Sequence, residues 1–206
     1  MCGISGIYNF SNTNLDSKKI INKIIKLQTS RGPDGNRIWE SSCKKVTFGH
    51  NRLSIIDLSK KADQPFISND KNLIITFNGE IYNYLELKEQ LQKKKVKFKS
   101  NSDTEVILES YKIWGLDFLK KLRGMYSFAI WDNKNNKLII VRDPFGIKPL
   151  YYTIFNGAVY FASQIKSLLS IENLKFEYSE AGIVSYYLWG NVQEPFTLYK
   201  NIKSIN

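Results

Sequence analysis

Two stretches in the second half of the chain decide the fold: MYSFAIWDNKNNKLIIVR at residues 125–142 and LYYTIFNGAVYFA at residues 150–162. In the first, apolar runs at 125–132 and 137–142 flank a polar tetrapeptide, 133–136, which predicts two strands joined by a turn. In the second, strands at 150–155 and 158–162 flank Asn156-Gly157, the strongest short hairpin signal. Such short turns join antiparallel strands. We therefore expect an α+β protein with mostly antiparallel sheets, because the regular βαβ alternation of a doubly wound sheet is missing.

The sequence on either side of these hairpins carries further strand and helix signals. Strands are predicted at 2–10, 37–40, 45–49, 52–56 and 72–78, and helices at 16–28, 84–95, 102–114, 163–170 and 179–189. The first helix has Asp16 or Ser17 as its N-cap, and Ser102-Asp103-Thr104-Glu105 fits a capping box. No internal repeat or boundary precedes residue 190. One domain is predicted over 1–190, and residues 191–206 are expected to be a loop or the start of a linker.

Composition excludes several classes of protein. The chain of 206 residues is 43% hydrophobic, which is enough for a core, and it has no apolar run of the roughly 18 residues that a membrane span needs. Two cysteines and one histidine exclude a disulfide-dense scaffold, a Cys-based zinc finger and a clustered-His metal site. We expect neither a signal peptide nor a membrane partner. The expected location of the protein is a reducing cytoplasm.

The net charge of +11 is the one feature that suggests nucleic acid. Only five of the thirty basic residues are arginine, however, and the lysines fall in short groups such as 93–95. Nucleic-acid surfaces favour arginine with interleaved aromatic residues. The charge is therefore interpreted as a solvated, lysine-rich surface, and no nucleic-acid partner is expected.

Cys2 is the first candidate for chemistry. Once Met1 is removed, its thiol and a free α-amine lie on adjacent carbons, and the amine's ordinary pKa of about 7.7–8.0 makes it a usable base at neutral pH. Nucleophile and base would then come from one residue. Taken alone, Cys2 is better explained as a small residue after the start Met. A Cys2–His50 dyad is the competing arrangement, and a lone histidine is more often structural.

Three further sites could take part in binding or catalysis. Asn78-Gly79 ends a predicted strand and could direct two N–H donors at one oxyanion, or it is an ordinary turn. Arg52 could bind a carboxylate with its bidentate fork, or form a salt bridge with an acidic residue of the chain. Asp103 could pair with an ammonium, or stabilise the N-terminus of its helix. Arg52, Asp103 and Glu80 together could bind a free amino acid by both of its charges.

These residues lie in motifs that resemble those of a known family. The motifs are Met-Cys-Gly-Ile (1–4), Arg-Gly-Pro-Asp-Gly (31–35), Gly-His-Asn-Arg-Leu-Ser-Ile-Ile-Asp (49–57), Gln-Pro-Phe (64–66), Phe-Asn-Gly-Glu-Ile-Tyr-Asn-Tyr (77–84), Ser-Asp-Thr-Glu (102–105), Leu-Arg-Gly-Met-Tyr-Ser-Phe-Ala-Ile-Trp-Asp (122–132), Arg-Asp-Pro-Phe-Gly-Ile-Lys-Pro-Leu-Tyr-Tyr (142–152) and Phe-Ala-Ser (161–163). In this order, they resemble the class II glutamine amidotransferases, specifically the N-terminal glutaminase domain of glutamine-hydrolysing asparagine synthetases. Two positions depart from the family's usual pattern, Ser30 and Gln164.

The resemblance implies a fold and a set of roles. The implied fold is the four-layer αββα arrangement of N-terminal nucleophile hydrolases, and the implied reaction is hydrolysis of glutamine to glutamate and ammonia. By position, Cys2 would be the nucleophile, and Asn78 and Gly79 the oxyanion hole. The substrate would be bound through its α-carboxylate by Arg52 and through its α-amino group by Asp103 and Glu80, helped by backbone groups at Leu53 and Ile55.

The resemblance also implies partners outside these residues. In the family, a C-terminal synthetase domain binds ATP and magnesium and uses the ammonia, whereas the glutaminase step needs no cofactor or metal. The expected partners are glutamine and that synthetase domain or subunit, with a homodimer left open. Three functions are alternatives to that of a glutaminase serving asparagine synthesis. They are a non-catalytic glutamine-binding or docking domain, an amidase for another amide, and an amidotransferase half that serves sugar-acid amidation in surface polysaccharide synthesis.

Overall fold

The larger of two antiparallel sheets carries both chain ends. The computed structural model describes residues 1–206. Six strands have the spatial order β10-β8-β9-β1-β3-β2, and every pair of neighbours is antiparallel. Their bounds are β1 Gly3–Asn9, β2 Gly35–Glu40, β3 Val46–Arg52, β8 Tyr151–Phe155, β9 Ala158–Ala162 and β10 Lys203–Ser204. The β8–β9 hairpin predicted at Asn156-Gly157 is confirmed, and both turn residues have the positive φ that this turn requires (46° and 72°).

The smaller sheet has four antiparallel strands in the order β4-β5-β6-β7. Their bounds are β4 Phe66–Ile67, β5 Leu73–Ile81, β6 Gly124–Asp132 and β7 Lys137–Arg142. The predicted hairpin over 125–142 is the β6–β7 pair, with Asp132 opposite Lys137. Both deciding stretches therefore form the antiparallel pairs that were expected.

Five helices complete the chain: α1 Ser17–Leu27, α2 Tyr84–Lys93, α3 Asp103–Trp114, α4 Ile165–Leu168 and α5 Glu180–Trp189. Asp16 caps α1 by accepting a hydrogen bond from the Lys19 amide at 3.1 Å. Gly190, in the left-handed conformation, ends α5. No helix combines the length and the apolar character that crossing a membrane would need.

Three apolar clusters establish the layers. Ile74 and Ile75 are neighbours on one strand, so their side chains point to opposite faces of the sheet. Ile74 packs between the two sheets with Ile4 and Trp131, whereas Ile75 packs under α2 and α3 with Leu87. The third cluster joins α1 and α4 to the outer face of the larger sheet. The order helix, sheet, sheet, helix is the expected αββα arrangement, which is confirmed.

Two local expectations were wrong. The strand predicted at 52–56 does not form, because Arg52 is the last residue of β3 and residues 53–56 belong to an irregular loop. The capping box at Ser102 does not form: the Glu105 carboxylate instead accepts hydrogen bonds from the amides of Lys99 and Ser100, and Ser102 makes no side-chain cap bond. The segment 191–206, expected to be a loop or the start of a linker, is mostly irregular, and it packs back on the domain and adds the two-residue β10 to the larger sheet.

Candidate active site

The nucleophile candidate lies where the two sheets meet at one end. Cys2 directly precedes β1, and because β1 and β3 are antiparallel, with Gly3 opposite Asn51, the end of β3 lies beside it. From the smaller sheet, β5 reaches the same place. One cavity is lined by residues from all of these segments, and it includes every site residue predicted from the sequence: Cys2, Arg52, Leu53, Ile55, Asn78, Gly79, Glu80 and Asp103.

The Cys2 thiol is held by the backbone of Leu53. The Leu53 amide donates to Sγ at 3.3 Å, and Sγ lies 3.5 Å from the Leu53 carbonyl oxygen. On the other side, Arg31 Nε donates to the Cys2 carbonyl oxygen at 2.9 Å. Burial raises the pKa of the thiol, and the Leu53 hydrogen bond opposes that shift. The thiol is thus fixed in place but needs a base to become a nucleophile.

Asn78 supplies an uncommitted hydrogen-bond donor. The residue is 1% exposed and lines the cavity, and its Nδ2 has no hydrogen-bond partner. A buried polar group without a partner is costly, which makes a free donor at this place a sign of function. The next residue, Gly79, has to be a glycine because β6 approaches too closely for a side chain. A Cβ at this position would lie 2.3 Å from the Met125 carbonyl oxygen. Asn78 and Gly79 are therefore brought together at the cavity wall, as predicted.

Arg52 already has anionic and carbonyl partners. Its guanidinium forms an ion pair with Asp63 and donates to the carbonyl oxygens of Asp57 (2.6 Å) and Ser59 (3.0 Å). The salt bridge weighed in the sequence analysis is thus present in the structure. These bonds fold the loop that follows β3 around Arg52. Leu53 and Ile55 lie on this loop, and the Ile55 side chain is largely exposed.

Asp103 begins α3 and is only 4% exposed. Its Oδ2 accepts a hydrogen bond from the Ile81 amide at 3.1 Å. Burial raises the pKa of this carboxyl to about 6, and the nearby charge of Glu80 adds to the rise. Glu80 itself is exposed at the cavity mouth. Two carboxyls next to each other favour binding of a cation.

His50 is not placed as the partner of a Cys-His dyad. Its Nε2 lies 3.2 Å from the Phe77 carbonyl oxygen, and it shares no hydrogen bond with Cys2, whose thiol is hydrogen-bonded to Leu53. Burial lowers the pKa of the ring to about 4. The imidazole is therefore a neutral link between β3 and β5.

We expect the replacement Asp103→Asn to stabilise the protein at neutral pH. The folded-state pKa of about 6 exceeds the ordinary value of about 3.9, so the folded protein binds the proton more tightly than the unfolded chain does. The stability that the protonated Asp103 carboxyl contributes is therefore fully present below about pH 4, and it is lost as the pH rises through about 6. The neutral amide should raise the free energy of unfolding by about 2–3 kcal/mol at pH 7 and change it little at pH 4.

Urea unfolding at both pH values measures this difference. Asp117→Asn is the matched control, since Asp117 is an exposed carboxylate that pairs only with Lys120, and it should change stability little at either pH. A gain at pH 4 as large as that at pH 7 would show that charge burial at Asp103 is not the cause.

Sequence reasoning gave no role to two cationic residues near Cys2, Arg31 and Lys148. Both lie in motifs of the sequence, at 31–35 and 142–152, so position in a motif was the available signal. It also gave no role to Gln64, which accepts from the Phe77 amide at 2.6 Å and donates to Thr104 Oγ1, joining β5 to α3. No group of three or more His, Cys, Asp or Glu side chains is arranged to hold a metal ion.

Comparison with known proteins identifies the family of the chain. The family model described as "Glutamine amidotransferase domain" matches residues 1–206. The chain therefore belongs to the glutamine amidotransferase family.

The curated relatives show which members of the glutamine amidotransferase family the chain is similar to in sequence. The chain is 41% identical over 208 residues to "Asparagine synthetase [glutamine-hydrolyzing] 1" of Bacillus subtilis, covering 100% of this chain and 32% of the relative. It is 37% identical to "Putative asparagine synthetase [glutamine-hydrolyzing] 2" of Methanocaldococcus jannaschii, covering 98% of this chain and 42% of the relative. The chain thus spans about a third to two fifths of the length of these relatives and is homologous to the glutaminase half of asparagine synthetases.

Among solved structures, the fold is similar to the glutamine phosphoribosylpyrophosphate amidotransferase of B. subtilis. That match has a TM-score of 0.69 and 24% identity, and it covers 81% of this chain and 43% of the other. This likeness supports the fold alone.

Proposed function

We propose that the chain hydrolyses the side-chain amide of L-glutamine to glutamate and ammonia, as the glutaminase part of an asparagine-synthetase-like protein. The observation that carries the proposal is the free, buried Asn78 amide in the same cavity as the Cys2 thiol. Nucleophile and oxyanion donor are the two groups that acyl transfer most needs. The printed names of the relatives, which are glutamine-hydrolysing enzymes, support the choice of amide.

The chemistry begins with removal of Met1, which frees the Cys2 α-amine. The amine takes the thiol proton, and the sulfur attacks the amide carbon, placing negative charge on the amide oxygen beside Asn78 and Gly79. Collapse breaks the C–N bond, and the protonated amine gives its proton to the departing ammonia. The amine then deprotonates a water molecule that attacks the thioester, which releases glutamate and restores the thiol.

Recognition of glutamine uses both ends of its amino-acid moiety. Asp103 and Glu80 bind the α-ammonium, and the low exposure of Asp103 strengthens that pairing. Arg52 binds the α-carboxylate, helped by backbone groups at Leu53 and Ile55. Because Asp63 now occupies Arg52, the substrate carboxylate shares or replaces that ion pair. Because Asp103→Asn removes one of the two carboxylates that bind the α-ammonium, glutamine should bind more weakly to this variant. Isothermal titration calorimetry would measure the change.

The ammonia is used by a synthetase domain or subunit. Such a domain would bring ATP and magnesium, while the glutaminase step needs neither. Aspartate is the default acceptor, in line with the relatives' names; a sugar acid of surface polysaccharide synthesis is the alternative. A cytoplasmic location would keep the Cys2 thiol reduced.

The direct test is release of glutamate from glutamine, with asparagine and other amides as comparison substrates. Turnover of glutamine alone supports the proposal. Calorimetric binding of glutamine without turnover would favour the second candidate, a non-catalytic glutamine-binding or docking domain. Faster turnover of another amide would point to a different amidase.

A further inference from the structure

The loop between β7 and β8 is built to fix one lysine. Asp143 is buried and accepts hydrogen bonds from the amides of Phe145, Ile147 and Lys148. Arg142 donates from Nε to the Lys148 carbonyl oxygen at 2.8 Å and from Nη2 to that of Gly146 at 2.5 Å. The backbone of Lys148 is thus clamped at both its N–H and its C=O, which leaves its side chain a defined direction.

That direction leads into the cavity beside the chain's N-terminus. Lys148 is 4% exposed and lines the same cavity as Cys2. Its Nζ donates its one hydrogen bond to the Met1 sulfur at 3.2 Å and forms no ion pair. Leu53 holds the thiol of Cys2, while Lys148 lies on the side of Met1, where the α-amine appears when Met1 leaves.

A buried cation without a paired carboxylate destabilises the fold, so its presence calls for a reason. Burial and the charge of Arg31 lower the pKa of Lys148, whereas the carboxylates of Glu80 and Asp143 oppose this. The charges of these two carboxylates favour the ammonium form of the side chain.

Other charged groups surround residue 2 from every neighbouring element. The cations are Arg31, from the loop after α1, and Arg52, at the end of β3, which is neutralised by Asp63. The anions are Asp57, Glu80 and Asp103, all on the cavity wall, and the His50 ring is neutral. Lys148 is the buried cation among them that has neither a carboxylate nor a carbonyl partner.

We propose that Lys148 is a positioning residue whose ammonium keeps the Cys2 α-amine in its neutral, proton-accepting form once Met1 has been removed. A nearby positive charge makes uptake of a second proton less favourable, so more of the amine is available as a base at neutral pH. This inference rests on the proposed glutaminase function for its meaning, but the charge effect itself can be measured without turnover.

The first measurement is the pH profile of kcat/KM for glutamine hydrolysis. In Lys148→Met, which keeps the length and loses the charge, the acid limb should move up by about one pH unit, the order of shift that loss of a neighbouring unit charge produces. Activity on that limb then falls about tenfold. Lys148→Arg should keep the original limb, and so should Lys137→Met, which removes an exposed lysine far from the cavity. A loss that is equal at every pH would overturn the proposal, because a purely structural role predicts it.

The second measurement titrates the amine directly. In a Cys2→Ala background the α-amine is the only titrating group of residue 2, and selective ¹³C-alanine labelling reports its pKa by NMR, with Met1 removal verified by mass spectrometry. Adding Lys148→Met, or Lys148→Gln where the methionine variant fails to fold, should raise that pKa by about one unit. An unchanged pKa overturns the proposal even where the chain hydrolyses glutamine, and a raised pKa upholds it even where no hydrolysis is found.

Discussion

Replacing Cys2 with alanine is expected to reduce glutamate release from glutamine by roughly a thousandfold or more. The variant removes the only sulfur in the cavity that can form the thioester, and loss of a covalent nucleophile generally eliminates nearly all of the rate enhancement. The fold should tolerate the change, because the only hydrogen bonds that the thiol makes are to the backbone of Leu53. Steady-state glutamate release, with thermal unfolding measured alongside, checks both expectations.

Two controls make this result specific. Cys43→Ala removes the other cysteine, which is exposed and outside the cavity, and should leave turnover unchanged. A form that retains Met1 should be as inactive as Cys2→Ala, since its α-amine lies one residue too early and the Met1 side chain occupies the cavity wall beside Lys148. Undiminished hydrolysis by either Cys2→Ala or the Met1-retaining form would disprove the N-terminal nucleophile mechanism.

The sheets were predictable from sequence because their hairpins are local. The β6–β7 and β8–β9 turns are four and two residues long, so strand alternation and turn chemistry coincide within one short window. The end of β3 was not predictable in this way. The apolar run beyond Arg52 looked like more strand, but Asp34 accepts from the Ser54 amide and Asp57 from the Asn101 amide, which pull the loop away from the sheet. These contacts join residues 20 and 44 positions apart.

Contacts between residues that are distant in the sequence also explain why the strand in the C-terminal segment 191–206 was not predicted. Ile202 is fully buried among the side chains of α1 and β9, and Lys203–Ser204 pair with Tyr151 and Tyr152. A two-residue strand has no period to detect, and its partner lies fifty residues earlier in the chain. The expectation that a linker and a further domain follow is a separate prediction, which the packing of these residues does not address.

For the site, sequence reasoning found the groups with reactive or charged ends and missed those whose role depends on burial. Cys2, Asn78 and Asp103 were identified by their chemistry, and the structure brings them to one cavity. Lys148 was read as one lysine of a basic chain. Its low exposure and clamped backbone depend on Arg142 and Asp143 and on packing from both sheets, which only three-dimensional contacts reveal.

Replacing Asn78 with alanine is expected to lower kcat for glutamine hydrolysis by about 10²–10³-fold with little change in KM. The Asn78 Nδ2 donor has no partner in the protein, so it is available for the oxyanion that forms when sulfur attacks the amide. An interaction made mainly in the transition state affects kcat rather than ground-state binding, and loss of one oxyanion donor typically has this magnitude. The variant should be at least as stable as the wild type, because a buried donor without a partner is removed.

Asn72→Ala is the matched control: it deletes the same amide just before the start of the same strand, outside the cavity, and should leave kcat unchanged. A rise in KM at constant kcat in Asn78→Ala would instead make the amide a ground-state ligand of the substrate. The combination of lower kcat, constant KM and retained stability is specific to a donor held free for a charge that exists only during the reaction.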